Sequence, residues 1–266
     1  MDHVLYRQEG AVAIITLNRP EQRNILSSDE MQAALLGAIE RLANDHVVKV
    51  AILTGAGAAF SAGGDIKKIA ETAGKTSPPV SRSHYINGIQ RIPLAMSRLE
   101  LPVIAAVNGP AVGVGLDLAC MCDIRIAAQS AKFAESFVKI GYVPGDGGAW
   151  LLPRVVGLPK ALEMSLTGDM IDVDEALTWG LVTKVVPDEQ LMDVAMAMAS
   201  RIASNPGFAV RMTKQLLHKS GAMSLEDLLN FTATAQAIAA SSDEHKQAVE
   251  AALAALQAKK RRPKEN

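Results

Sequence analysis

An α/β fold closed by an all-helical C-terminal third is predicted by three features of this 266-residue chain. Apolar β-rich runs alternate with helical stretches up to about residue 190, and that alternation argues for a layered sheet-and-helix arrangement. The strand signal stops near Asp188, and helical periodicity then runs through Leu191 to Ser204, Phe208 to His218, Leu225 to Ala240 and Asp243 to Ala258. A core over 1–190 and a helical region over 191–266 are therefore expected.

The elements follow in order. Val4 to Gln8 and Ala11 to Leu17 read as a hairpin, the second run ending at Asn18-Arg19-Pro20, where proline halts a ladder. Met31, Leu35, Ile39 and Leu42 then mark one face of a helix that Ser27 or Ser28 can cap. Val48 to Thr54, Leu101 to Val107, Ile124 to Ala128 and Leu181 to Val186 read as buried strands, and Thr72 to Val80 as a flexible loop. Leu101 to Cys122 is long and apolar enough to suggest a membrane span, but Pro102, Asn108, Gly109, Pro110 and Asp117 interrupt it, so a buried strand, turn and helix are expected.

With 49% hydrophobic and 21% charged residues and a net charge of −1, nothing points to a nucleic-acid or membrane partner. The basic run Lys259 to Lys264 reads as a solvated terminus. Cys120 and Cys122 are the only cysteines, so neither a disulfide framework nor a four-thiol zinc site is available, and a reducing cytoplasm is the default. The N-terminus carries no signal or transit pattern.

Two stretches offer chemistry. In Ala59-Phe60-Ser61-Ala62-Gly63-Gly64-Asp65-Ile66-Lys67 a strand gives way to small residues and a helix beginning near Asp65. In Val103 to Asp117, through Asn108-Gly109-Pro110-Ala111-Val112-Gly113-Val114-Gly115, the same progression recurs. Small residues admit a ligand to the backbone, and N–H groups at a helix start have no intrahelical partner and lie at its positive end. Two such donors aimed at one oxygen form an oxyanion hole, each worth roughly 3 kcal/mol in a transition state. Read alone, the first stretch is equally a glycine turn capped by Asp65. Neither GxGxxG nor a P-loop occurs.

Ala62-Gly63-Gly64-Asp65-Ile66-Lys67, Ala105-Ala106-Val107-Asn108-Gly109, Gly113-Val114-Gly115, Cys122-Asp123 and Pro144-Gly145-Asp146-Gly147-Gly148 resemble, in order and spacing, the crotonase (enoyl-CoA hydratase/isomerase) family over nearly the whole chain. The resemblance implies a crotonase-like (ClpP/crotonase) spiral of β-β-α units, a C-terminal helical trimerisation region, and a homotrimer or dimer of trimers. It implies an acyl-CoA thioester substrate whose carbonyl is held by the N–H groups of Gly64 and Val114. Arg23, Ala62, Asp65, Ile66 and Lys67 are implied to lie along coenzyme A, which enters as part of the substrate, with no metal or redox cofactor.

The departures matter most. The family's hydratases use two glutamates to activate water. The first position falls on Asp117, a shorter carboxylate, and the second on Phe137, which cannot move a proton. Asp146 resembles the aspartate that some isomerases of the family carry in this turn. Asp117 and Asp146 are thus the catalytic candidates; Asp146 also reads as a helix cap, and Asp117 as a satisfied polar group in an apolar helix. Glu135 adjoins the site in sequence but is expected to point away from it, with Lys139 a prospective ion-pair partner at helical spacing. Phe137 and His84, the latter with Tyr85 on one helix, are candidates for the acyl pocket. Hydration of a 2-enoyl-CoA is the broadest reading, isomerisation of a 3-enoyl-CoA its rival, and a non-catalytic acyl-CoA-binding subunit the alternative of another class.

Overall fold

A computed structural model describes residues 2–261. The basic tail lies outside the described residues in its last part and outside the described side chains throughout. The chain divides into two compact units that part between Ser200 and Arg201.

The first unit holds a six-stranded sheet in the order β1 (Val4–Glu9), β2 (Val12–Leu17), β3 (Val50–Gly55), β4 (Val103–Val107), β6 (Ile124–Ala128), β8 (Lys184–Val186). β1 and β2 form the expected antiparallel hairpin, and every later pairing is parallel. Every residue of β3 and β4 is buried, as strands covered on both faces require, whereas the edge strand β1 is largely exposed and carries an Arg7–Glu9 ion pair. Two short strands missed by the sequence reading, β5 (Ala111–Val112) and β7 (Phe133–Ala134), pair as a second parallel ribbon.

Helix α1 (Asp29–Asn44) buries Met31, Leu35, Ala38, Ile39 and Leu42 and starts at Ser28, whose hydroxyl accepts from Met31 N–H. Such a cap contributes about 1 kcal/mol. The loop expected over Thr72 to Val80 is present but shorter, at 73–77: α2 (Ile66–Thr72) ends before it, and α3 (Pro78–Asn87) begins on its two prolines, which suit a first turn because they lack the N–H that has no partner at that position. α4 (Arg91–Arg98) and α5 (Val114–Met121) follow, α5 being buried at every residue. α6 (Gly148–Thr167) is kinked at Gly157, where φ is 76°, and contains Pro153 and Pro159. α7 (Val173–Thr178) starts with a capping box at Asp172 and Glu175. α8 (Leu191–Ala203) buries Leu191, Ala195 and Ala199 along one stripe.

The second unit contains α9 (Gly207–Lys219), α10 (Leu225–Ala240) and α11 (Asp243–Arg261). Ser224 caps α10 through Asp227 N–H, and Phe208 N–H donates to Glu244 Oε2 at 3.2 Å. Among the described residues no helix is long and apolar enough to cross a membrane.

Candidate active site

Neighbouring parallel strands β3 and β4 end side by side, so the loops leaving their carboxyl ends meet, which is where open α/β sheets place ligands. The loop after β3 is held from two sides. Ala62 N–H donates to Arg23 O at 2.8 Å, Leu26 N–H to Gly63 O at 2.8 Å, and Asp65 N–H to Ser27 Oγ at 2.9 Å. Asn24, buried and left-handed at φ 55°, donates to Ala56 O and Ala59 O. Asn108 accepts from Gly55 N–H and donates to Gly57 O. The loop is also laced to the second one, Ser61 N–H donating to Pro110 O and Val112 N–H to Ser61 O.

Glycine is obligatory at this seam. Gly63 has φ 83°, and a Cβ there would strike Val112 O, with Val114 N 3.6 Å away. The N–H groups of Gly64 and Val114 have no hydrogen-bond partner among the described residues. Gly64 immediately precedes Asp65, whose carboxylate caps α2 through Lys67 and Lys68 N–H, while Val114 is the first residue of α5. Asp65 therefore does cap a helix, and the glycine turn is at the same time a source of free donors. Arg23, Ile66 and Lys67 are exposed beside this loop, with Ala62 and Asp65 half-buried in it.

Three carboxyl groups are buried nearby: Asp117 on α5 is 0% exposed, Glu135 after β7 1%, and Asp146 before α6 4%. A side chain at Gly148 would run at once into Asp117 Oδ1 and Glu135 Oε1, so those two oxygens flank one point. Among the described residues neither the Asp117 nor the Glu135 carboxyl has a hydrogen-bond partner for either oxygen, and Asp146 Oδ1 has none. The Gly148 N–H favours the charged form of Asp117 without completing a bond of ordinary geometry. Asp117 is not the satisfied polar group of one sequence reading, and Asp146 caps nothing, since Gly147 stands at the start of α6.

Burial pushes all three groups toward their protonated forms. Asp117 rises well above the usual carboxylate range through desolvation and then the charge of Asp146. Glu135 is pushed to about 10 by desolvation and then by Asp117 and Asp146. Asp146 rises to about 6 by desolvation alone, so it is the member that changes charge near neutrality. Tyr85 is raised to about 12 by burial and then by Asp146. No Lys, Arg or His among the described residues acts on the three acids.

Glu135 is thus central rather than turned away, and the proposed pairing with Lys139 does not form. Ser136–Ile140 is a 3-10 turn, so residues four apart do not stack as on an α-helix, and Lys139 Nζ binds Asp169 Oδ1 at 2.9 Å. The Phe137 ring lies over Gly113, within 3.4 Å of where a Cβ would stand, next to the free Val114 N–H. His84 is exposed; its neighbour Tyr85 meets Gly145 instead. A cavity of about 410 Å³ is walled by Pro93 and Leu94 of α4, Trp150 and Leu151 of α6, and Gly145 and Gly147 on either side of Asp146. Neither Phe137 nor His84 lines it. Among the described residues no three His, Cys, Asp or Glu are grouped to hold a metal ion.

Free backbone donors at two abutting helix starts, with buried carboxyls nearby on which no cation acts among the described residues, are suited to general acid–base chemistry at a polarised acyl group. The sequence pattern of the enoyl-CoA hydratase/isomerase family matches residues 7–261, and the chain belongs to that family. It is 36% identical to the 1,2-epoxyphenylacetyl-CoA isomerase of Escherichia coli (strain K12), covering 96% of each chain. It is 38% identical to the short-chain-enoyl-CoA hydratase of Clostridium acetobutylicum, covering 94% of each. A crystal structure of enoyl-CoA hydratase from Mycobacterium smegmatis is 35% identical and superposes with a TM-score of 0.87 over 98% of each chain. The fold is accordingly crotonase-like, and the chain is an enzyme of the hydratase/isomerase group rather than a binding subunit.

Proposed function

We propose that the chain isomerises the double bond of an enoyl-CoA thioester, with Asp146 as the group that moves the proton. The observation that carries this reading is the division among the carboxyls: Asp117 and Glu135 crowd each other at Gly148, whereas Asp146 stands in the turn bordering the cavity and is poised near pH 6. Phe137 makes the wall beside Val114 apolar, which supports a reaction needing one proton carrier and no bound water. Gly64 and Val114 N–H groups hold the thioester oxygen; Asp146 removes a C2 proton, the dienolate forms against those donors, and the proton returns at C4. Arg23, Ala62, Asp65, Ile66 and Lys67 line the coenzyme A moiety, and Phe137, beside the Val114 N–H, borders the acyl group.

Proton transfer alone balances this reaction, so it asks for no metal or redox cofactor. Two reduced, buried cysteines suit a cytoplasmic setting. Leu158, Leu162 and Leu166 expose an apolar row on α6, and Leu225, Leu229, Leu253 and Leu256 do so on the second unit, which supports burial in a homotrimer or dimer of trimers. Hydration of a 2-enoyl-CoA by an Asp117–Asp146 pair is the second reading, favoured by the direct electrostatic action of Asp146 on Asp117. Proton NMR of the product mixtures from crotonyl-CoA and from 3-hexenoyl-CoA separates the two: a shifted double bond from the second substrate supports isomerisation, and a 3-hydroxyacyl product from the first, without any shift from the second, overturns it.

A further inference from the structure

We propose that Glu135 is a positioning residue that acts through Asp117: the two buried carboxyls hold one proton between them, carried by Glu135, which orients Asp117 and keeps a second negative charge out of the site. The inference rests on the reading of this pocket as a proton-transfer site, but its physical basis is independent of substrate. Among the described residues none of the four oxygens of the pair completes a hydrogen bond of ordinary geometry, the Gly148 N–H only standing near Asp117, and both side chains are essentially inaccessible to water. Two ionised carboxyls cannot persist in that state side by side without a cation, whereas one proton gives each residue a hydrogen-bond partner. Gly148 supplies the geometric reason they stay together, since it leaves room for the two oxygens to face the same point.

The groups around the pair favour the proton. Asp146 faces it from the turn before α6 and Cys120 from α5, where burial pushes the thiol up. The buried Arg125 guanidinium is taken up by the carbonyls of Cys122 and Leu181. Glu135 therefore keeps its proton far into the alkaline range, and the anionic form of Asp117 accepts from it. The structure thereby separates a fixed acid pair from Asp146, whose charge changes near neutrality.

Infrared spectroscopy of the full-length protein without substrate, at about pH 8, tests this directly, because Asp146 is ionised there and Glu135 is not. The wild type should show the carbonyl band of a protonated carboxyl, and Glu135→Gln should lose it. Absence of the band in wild type, or its survival in Glu135→Gln, overturns the proposal even if the isomerase reading holds. In turnover, Glu135→Gln keeps a donor to Asp117 and should retain kcat within about threefold, whereas Glu135→Leu should lose about tenfold in kcat with KM little changed, the effect of removing one supporting hydrogen bond. Equal kcat values for the two variants would contradict a positioning role.

Discussion

Replacing Gly148 with alanine sets two physical effects against each other. In a helix, alanine is ordinarily the better residue by up to about 1 kcal/mol, so an unconstrained site would gain stability. Here the added methyl meets Asp117 Oδ1, Glu135 Oε1 and, at 2.9 Å, Asp117 Cγ. Neither side chain can swing into solvent, because both are buried to within 1%. Overpacking of this kind costs about 1–3 kcal/mol, enough to reverse the sign. Urea unfolding should therefore show a lower midpoint with an unchanged slope. In a Glu135→Ala background, which vacates part of the space, the same substitution should cost less, with a coupling of about 0.5–3 kcal/mol. A Gly148→Ala protein as stable as wild type, or an identical cost in both backgrounds, would refute the crowding of these carboxyls.

Other consequences are equally accessible. Asp146 binds its proton more tightly folded than unfolded, with a value of about 6 against an ordinary 3.8, so its stabilising contribution is full below the lower value and lost as pH rises to the upper one. Glu135 extends the same sign of effect from 4.5 to about 10, so wild-type stability should fall with rising pH across that range, and Glu135→Gln should flatten the slope in urea titrations at several pH values. If Asp146 is the working base, kcat/KM should fall on the acid side of about pH 6, a limb that initial-rate measurements on the wild type should trace. Gly63→Ala places a methyl against Val112 O at a left-handed φ of 83°, and should cost more than about 1 kcal/mol in stability while lowering kcat by separating the two donor loops.

Much of this architecture is visible in the residue pattern because burial writes itself into composition. β3 and β4 are continuous apolar runs since both faces are covered, and α1 shows its stripe because only one face is. The two-residue strands β5 and β7 carry no such pattern, being too short for periodicity to register. The donor loops were legible as strand, small residues and helix start, and the adjacency of β3 and β4 explains why two distant segments meet. The position of Glu135 is not legible in the sequence because a charged side chain is ordinarily placed outside, and only the fold shows one packed without a cation. No periodicity marks it either, because β7 ends at Ala134 and a 3-10 turn begins at Ser136, leaving Glu135 between the two. His84 and Tyr85 show the converse, since one step along α3 decides which side chain meets the turn holding Asp146, and that rotation cannot be read from spacing alone.

The proton path through Asp146 is tested most directly by following deuterium. Wild-type protein incubated with 3-hexenoyl-CoA in deuterated water should yield the 2-enoyl product with label exchanged at C2 and C4 in the NMR spectrum. Asp146→Asn should abolish both migration and exchange, while Asp117→Asn should slow them by about tenfold without abolishing either. Migration that survives Asp146→Asn, or that requires Asp117 equally, would contradict the assignment of Asp146 as the proton carrier.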